Sequence, residues 1–173
     1  MKIGIFYGSS SGVTKKVVKE IRKLMDIDKE DIYDVEDIER GELTHKISEY
    51  DFVILATPTY KLGDIQKSWE KHLKELGEID FKNRHLALVG VGNQERFAQT
   101  FVSGMGILYY YIKNNNIKLI GKTNTDGYDF LASSAVERNK FFGLAIDHKN
   151  QKELTDTRIE NWVKQLEKEL KNN

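Results

Sequence analysis

Apolar runs and amphipathic stretches alternate along the chain. Residues 2–7, KIGIFY, are rich in β-branched and aromatic side chains and predict a strand. Val17, Ile21, Leu24 and Met25 then recur at helical spacing on one face of a following helix. A weaker strand is predicted at 32–35, a strong one at 52–57 (FVILAT) and another at 85–91 (HLALVGV). Between the last two, Ile65, Trp69, Leu73 and Leu76 fall at helical intervals, and further on Phe101, Ile107, Tyr110 and Tyr111 do so less regularly. Residues 118–121 predict another short strand, a further apolar run covers 141–147, and Ile159, Val163, Leu166 and Leu170 share one face of a last helix. Strands alternating with helices predict a doubly wound α/β fold. Its parallel sheet is covered on both sides, because right-handed crossovers put the helices there.

Composition narrows what such a fold can do. The 173 residues are enough for one sizeable core, and no linker-like stretch divides them, so one domain over residues 1–173 is expected. No apolar run approaches the roughly 20 residues of a membrane span, and the start, MKIGIFYG, is too short in hydrophobic length for a signal peptide. A cytoplasmic protein is predicted. The chain has no cysteine, which excludes disulfides, thiolate catalysis and cysteine-held clusters, so any redox chemistry has to use a bound cofactor. Lys and Arg balance Asp and Glu, and the global field suggests neither nucleic acid nor an acidic membrane surface as partner. His45, His72, His85 and His148 lie far apart without the spacing of a metal site, and no G-x-S-x-G elbow surrounds Ser10 or Ser103. No catalytic pair and no metal site are predicted.

Open sheets of this kind take ligands beyond the carboxyl ends of their strands, where the strand order reverses. Three segments come under suspicion, 7–14, 56–63 and 91–100. The first sits in FYGSSSGVTKK (6–16), the second reads TPTYKLGD and the third GVGNQERFAQ. Alone, the first is a serine-capped turn between strand and helix. Together the three resemble the loops of flavodoxins, small electron carriers that bind flavin mononucleotide (FMN), and the resemblance runs from KIGIFYG to WVKQL near the end of the chain. It implies a three-layer flavodoxin-like fold of five parallel strands in the order 2-1-3-4-5.

The family pattern after the first strand is a hydroxyl, any residue, a hydroxyl, Gly, any residue and Thr. Ser9, Ser10, Ser11, Gly12, Val13 and Thr14 match it. The resemblance implies a phosphate here, held by backbone N–H groups and hydroxyls, with the helix dipole favouring its charge. The stretch lacks the spacing and the Gly-Lys-Ser/Thr ending of a nucleotide-hydrolysing P-loop, and Lys15 and Lys16 are read as facing water.

In the second segment, Pro58, Thr59, Tyr60, Lys61, Leu62 and Gly63 correspond to the loop that stacks one aromatic ring on the flavin. Long-chain members usually carry tryptophan where this chain has Tyr60; outside that setting Tyr60 reads as an ordinary loop tyrosine. Pro58, the only proline, keeps Thr57 extended so that the loop leaves its strand there. The resemblance also implies that the peptide after Lys61 turns its carbonyl toward flavin N5 on reduction, a turn that a Cβ strains. In the third segment the implied binding set is Gly92, Asn93, Phe97 and Gln99. Phe97 stands where the family has its second stacking tyrosine and keeps the π-face, although inward packing on a short helix is a competing reading. Asn93 replaces a common aspartate and, with the backbone of 92–98, would serve the pyrimidine edge.

Between 118–121 and the run FFGLAID lies TNTDGYDFLASSAVERNK, which resembles the insertion that interrupts the last strand of long-chain flavodoxins; about twenty structureless residues are unusual in a compact domain. It is expected on the surface. Asp147 corresponds to a position near the ribityl chain or the flavin edge, or else is a turn carboxylate before the last helix. The implied function is a low-potential one-electron carrier with non-covalent FMN, shuttling electrons as a monomer between redox partner proteins, a reductase donor and an acceptor enzyme. An FMN-dependent NAD(P)H quinone or nitro reductase on the same fold is the alternative. A phosphorylated receiver domain shares the topology, but FVILATPT offers no aspartate nucleophile. Flavodoxins are usually strongly acidic, and this chain departs from them in its balanced charge.

Overall fold

Side chains alternate between the two faces of a strand, so each face of a buried sheet needs its own helical cover. In the computed structural model, which describes residues 1–172, the first half of the chain runs β1 (Ile3–Tyr7), α1 (Val13–Leu24), β2 (Ile32–Asp34), α2 (Leu43–Ser48) and β3 (Phe52–Tyr60). Next come β4 (Asp64–Ile65), α3 (Lys67–Glu70), α4 (Leu73–Leu76), β5 (His85–Val91) and α5 (Ser103–Ile112). The remainder is β6 (Lys118–Leu119), β7 (Thr123–Asn124), β8 (Val136–Glu137), β9 (Lys140–Phe141), β10 (Leu144–Ile146) and α6 (Thr155–Lys171).

Strands β2, β1, β3 and β5 are parallel neighbours in that order. The fifth place is shared. β6 pairs with His85 and Leu86 at the start of β5, and β10 pairs with Val89, Gly90 and Val91 at its end. The order 2-1-3-4-5 therefore holds with its last strand interrupted, and within the insertion β7, β9 and β8 form a small antiparallel sheet. Ile5, Tyr7, Ile54, Ala56 and Val89 share a core with Val17, Val18 and Ile21 of α1 and Ile159, Trp162, Val163 and Leu166 of α6. Phe6, Val53, Leu55, Leu86 and Leu88 share the other core with Leu43, Ile47, Trp69, Leu73, Leu76, Met105, Leu108 and Ile112.

Several elements depart from the expected pattern. Leu24 is exposed, because the chain turns after α1 and Ile27 packs into that core. Ile65 is not helical: it pairs with Thr59 in a hairpin, and the stripe expected over 65–76 divides into α3 and α4. Tyr110 and Tyr111 are exposed, since α5 turns Met105, Leu108 and Ile112 inward. Pro58 does not end its strand. Gly8 N–H donates to Ala56 O, so the missing N–H two residues later would face the same side, where β1 has already ended at Tyr7 opposite Ala56. No ladder bond is lost, and β3 continues to Tyr60. No helix of the described residues is long and apolar enough to cross a membrane.

Candidate functional site

The three suspected segments leave the sheet at the carboxyl ends of β1, β3 and β5. In the first, Gly12 is the N-cap of α1 at φ 85°, and a Cβ there would meet nothing within 4 Å, so the glycine answers to the backbone angle and not to crowding. The N-cap residue gives α1 no side-chain hydrogen bond, and its first turn carries no acidic residue. Ser9 Oγ accepts from Lys15 N–H at 3.4 Å, while Ser10 and Ser11 are exposed. Thr14 is buried, and its Oγ1 has no hydrogen-bond partner. A helix start of this kind, positive by its dipole and ringed by hydroxyls, suits an anion.

In the second segment, β3 reverses at Lys61–Gly63 and returns as β4, with Thr59 opposite Ile65 and Tyr60 opposite Asp64. Lys61 sits at φ 46° and Gly63 at φ 109°, so the turn already holds a Cβ-bearing residue in the left-handed region, at a cost of about 1–2 kcal/mol. Leu62 at the tip is 86% exposed. Thr59 Oγ1 accepts from Gly104 N–H at 2.9 Å and ties the hairpin to α5. Tyr60 is half-buried, and its Oη is buried without a partner. A cavity of about 640 Å³ is lined by Ser10, Tyr60, Lys61, Ile65, Leu73 and Ile107 among others, so the first and second segments share a wall.

In the third segment, Gly92 N–H donates to Ile146 O at 2.9 Å. A Cβ on Gly92 would come within 3.0 Å of the Phe101 ring and of Val102 N, so glycine there lets the loop fold back tightly on the start of α5. Asn93 Oδ1 accepts from Arg96 N–H and from Asn150 Nδ2, both at 2.9 Å. Phe97 is half-buried with the Arg96 guanidinium 5.3 Å from its ring centre, and Gln99 is exposed. Thr100 lies against the second segment, since a Cβ on Gly63 would sit 3.1 Å from Thr100 Cγ2.

Asp147 is fully buried, and its carboxylate is occupied by the protein itself. Oδ1 accepts from Lys149 N–H at 3.2 Å and Asn150 N–H at 3.1 Å; Oδ2 accepts from Gln94 N–H at 3.0 Å and Asn150 Nδ2 at 2.7 Å. These bonds make it a tie between the loop after β10 and the third segment. The insertion lies largely exposed, as expected, and it also supports that segment: Leu131 and Ala132 N–H donate to Ala98 O at 2.8 and 2.9 Å, and Asp129 N–H donates to Gln94 Oε1 at 2.7 Å. Tyr128, Phe130 and Phe141 pack their rings around Phe101. Burial pushes the Tyr128 hydroxyl up to about 12, so it stays a neutral donor, and it donates to Ala145 O at 2.5 Å.

Five buried side-chain polar atoms lack a partner among the described residues, and three of them, Thr14 Oγ1, Tyr60 Oη and Thr100 Oγ1, lie on these three segments, one on each. Such atoms are costly unless something pairs with them, so their distribution fits a ligand that touches all three loops. Sequence reasoning missed Thr100, a hydroxyl at the far end of the third segment, nine residues beyond β5 and just ahead of α5. It also missed Gln66 and Gln94, buried polar residues of a type that gives no cue of its own. No group of three or more His, Asp or Glu side chains that could hold a metal ion occurs among the described residues.

A family model described as flavodoxin matches residues 5–162. The flavodoxin of Nostoc sp. is 39% identical over 169 residues, covering 98% of this chain and 97% of that protein. The flavodoxin of Helicobacter pylori is 41% identical over 165 residues, covering 95% and 96%. Among solved structures, Fusobacterium nucleatum flavodoxin bound to flavin mononucleotide is similar at a TM-score of 0.87 and 37% identity, over 97% of this chain and 98% of that one.

Proposed function

The chain belongs to the flavodoxin family, and from that premise we propose how its loops take FMN and how it works as an electron carrier. Bound FMN supplies reversible electron transfer; the protein supplies binding, orientation and electrostatics. Ser9, Ser10, Ser11, Gly12, Val13 and Thr14 take the phosphate. Thr14 Oγ1 gains there the partner it otherwise lacks, and the negative charge is met by N–H dipoles and hydroxyls without a cation. Tyr60 and Phe97 cover the two faces of the ring system and exclude water from it.

Pro58 and Thr59 fix the strand end behind Tyr60, while Lys61, Leu62 and Gly63 form the rim. Gly92, Asn93 and the backbone up to Ala98 serve the pyrimidine edge, with Gln99 at its margin. Asp147 acts on the third loop and not on the cofactor, because its oxygens are already engaged by Gln94, Lys149 and Asn150. The observation that carries the proposal is the set of unpartnered buried hydroxyls, one on each loop.

Flavodoxins carry electrons between redox partner proteins, and the finer picture for this chain is a cytoplasmic monomer over residues 1–173, taking electrons from a reductase and giving them to an acceptor enzyme. Anaerobic stopped-flow mixing tests it. NADPH alone should leave the FMN-loaded protein oxidised, and NADPH with a flavodoxin reductase should reduce it. Rapid reduction by NADPH alone would favour the quinone or nitro reductase instead.

A further inference from the structure

We infer that Gln66 is a positioning residue that makes Ser10 a dedicated hydrogen-bond donor to the FMN phosphate. The inference rests on the first loop being the phosphate site. Gln66 lies outside all three loops, at the N-cap of α3, and is only 4% exposed. Its Oε1 accepts from Ser68 N–H at 3.0 Å and Trp69 N–H at 3.3 Å. Two backbone donors fix that end of the amide as the oxygen, since an NH₂ group there would face N–H groups with nothing to accept them.

Nε2 is thereby turned to Ser68 Oγ at 2.7 Å and to Ser10 Oγ at 3.4 Å. An amide NH₂ has two protons and accepts nothing, so both serines must accept from it. Ser68 donates its own hydroxyl proton onward to Glu36 Oε2. The polarity of the network is fixed at both ends, by backbone N–H groups at Gln66 Oε1 and by an acceptor-only carboxylate at Glu36. Ser10, occupied from behind as an acceptor, keeps its proton for whatever lies in front, and its side chain is exposed on the phosphate loop.

The exit of β1 passes close to the amide: a Cβ on Gly8 would lie 2.4 Å from Gln66 Oε1, so glycine there leaves the oxygen its room. Gly8 N–H and Trp69 Nε1 both donate to Ala56 O, each at 3.0 Å, which binds β1, β3 and α3 into the same knot. A donor oriented in the folded protein does not have to be ordered when the ligand binds.

Gln66→Glu tests this. It keeps the size of the side chain and an oxygen for the Ser68 and Trp69 N–H groups, but turns a second oxygen toward Ser10, which must then donate backward. The Kd for FMN should rise about tenfold or more, while the Kd for riboflavin, which lacks the phosphate, should stay within about threefold. Ser10→Ala should lose a similar factor for FMN alone, and Gln66→Glu in that background should cost clearly less than in the wild type, because coupled residues are not additive. Full additivity, or equal loss for FMN and riboflavin, would overturn the inference. A wild type that binds FMN no tighter than riboflavin would instead overturn the phosphate site itself. Should Gln66→Glu fail to fold, NMR of the wild type decides: FMN should shift the Gln66 side-chain amide protons more than riboflavin does, and equal shifts would overturn the role.

Discussion

Thr14 has a hydroxyl oxygen buried against neither donor nor acceptor, in the first turn of the helix that meets the phosphate. An unpaired buried hydroxyl costs about 1–3 kcal/mol, whereas one hydrogen bond to a charged group contributes about 1.5–3 kcal/mol. Thr14→Val should therefore leave the cofactor-free protein as stable as before or slightly more so in urea denaturation. The same variant should weaken FMN binding tenfold or more and leave riboflavin binding unchanged in a fluorescence titration. Equal losses for both ligands would give the hydroxyl to the fold instead. Lys61 is the other residue whose local state makes a sharp statement, since its φ of 46° already strains a Cβ-bearing residue. Because that strain is already present, Lys61→Gly should raise the first of the two one-electron potentials only by the strain that the turn on reduction adds to it, at about 59 mV per tenfold change in relative stability. Lys61→Gln, which keeps the strain and removes the charge, should lower only the second, and by little, because the side chain is exposed. A redox titration with an indicator dye reads both steps.

Between elements, support comes from ties that no periodicity reveals. The insertion holds the third loop through Phe130, which stacks obliquely on Phe101 at 5.3 Å, and through the N–H groups that reach Ala98 O. Phe130→Ala should lower stability by about 1–3 kcal/mol, less than a fully buried phenylalanine would, and should weaken FMN and riboflavin alike because it acts at the ring end. Glu75 of α4 clamps the start of α2, accepting from Gly41 N–H at 3.0 Å and Thr44 N–H at 2.8 Å. Partial burial pushes its carboxyl up, but the amide hydrogen bonds from Thr44 and Gly41, with lesser help from Thr44 and His72 side chains, outweigh it and hold the group below the ordinary 4.5. A lowered folded-state value means stability that is fully present above 4.5 and is lost as pH falls through the lower value. Glu75→Gln should thus be less stable than the wild type at pH 7, with the gap closing as pH falls below 4.5 and through the lowered value. A constant gap across that range would show that charge plays no part.

These ties also explain what was legible in the sequence. β1, β3 and β5 were readable because their apolar runs fill both faces of the sheet, and the hydroxyl pattern of Ser9–Thr14 was readable through its match to the family's loop, since the glycine N-cap of α1 does not itself require those hydroxyls. Ile65 misled because a two-residue strand has no period of its own, so its neighbours Trp69 and Leu73 lent it theirs. Asp147 was legible as a turn carboxylate, through Lys149 and Asn150, but its tie to Gln94, 53 residues away, was not, and Gln66 was opaque because Ser10 lies 56 residues away.

At the scale of the molecule, 27 basic and 27 acidic residues cancel, and the cavity beside the first two loops repeats the balance on a small scale, with Lys61, Asp64, Lys67 and Glu70 in its lining. Steering needs a net field. The rate of reduction by a partner reductase should change by no more than about threefold as added salt shortens the Debye length from about 30 Å to about 3 Å, and a steep fall would reveal a concentrated patch. The central claim, that three loops at the carboxyl edge of this sheet hold FMN for electron transfer, meets its most direct test in the flavin content of the purified protein. The absorption spectrum should be that of a bound flavin, and denaturation should release FMN at about one per chain. A colourless protein that, after incubation with FMN and gel filtration, retains no flavin would contradict it.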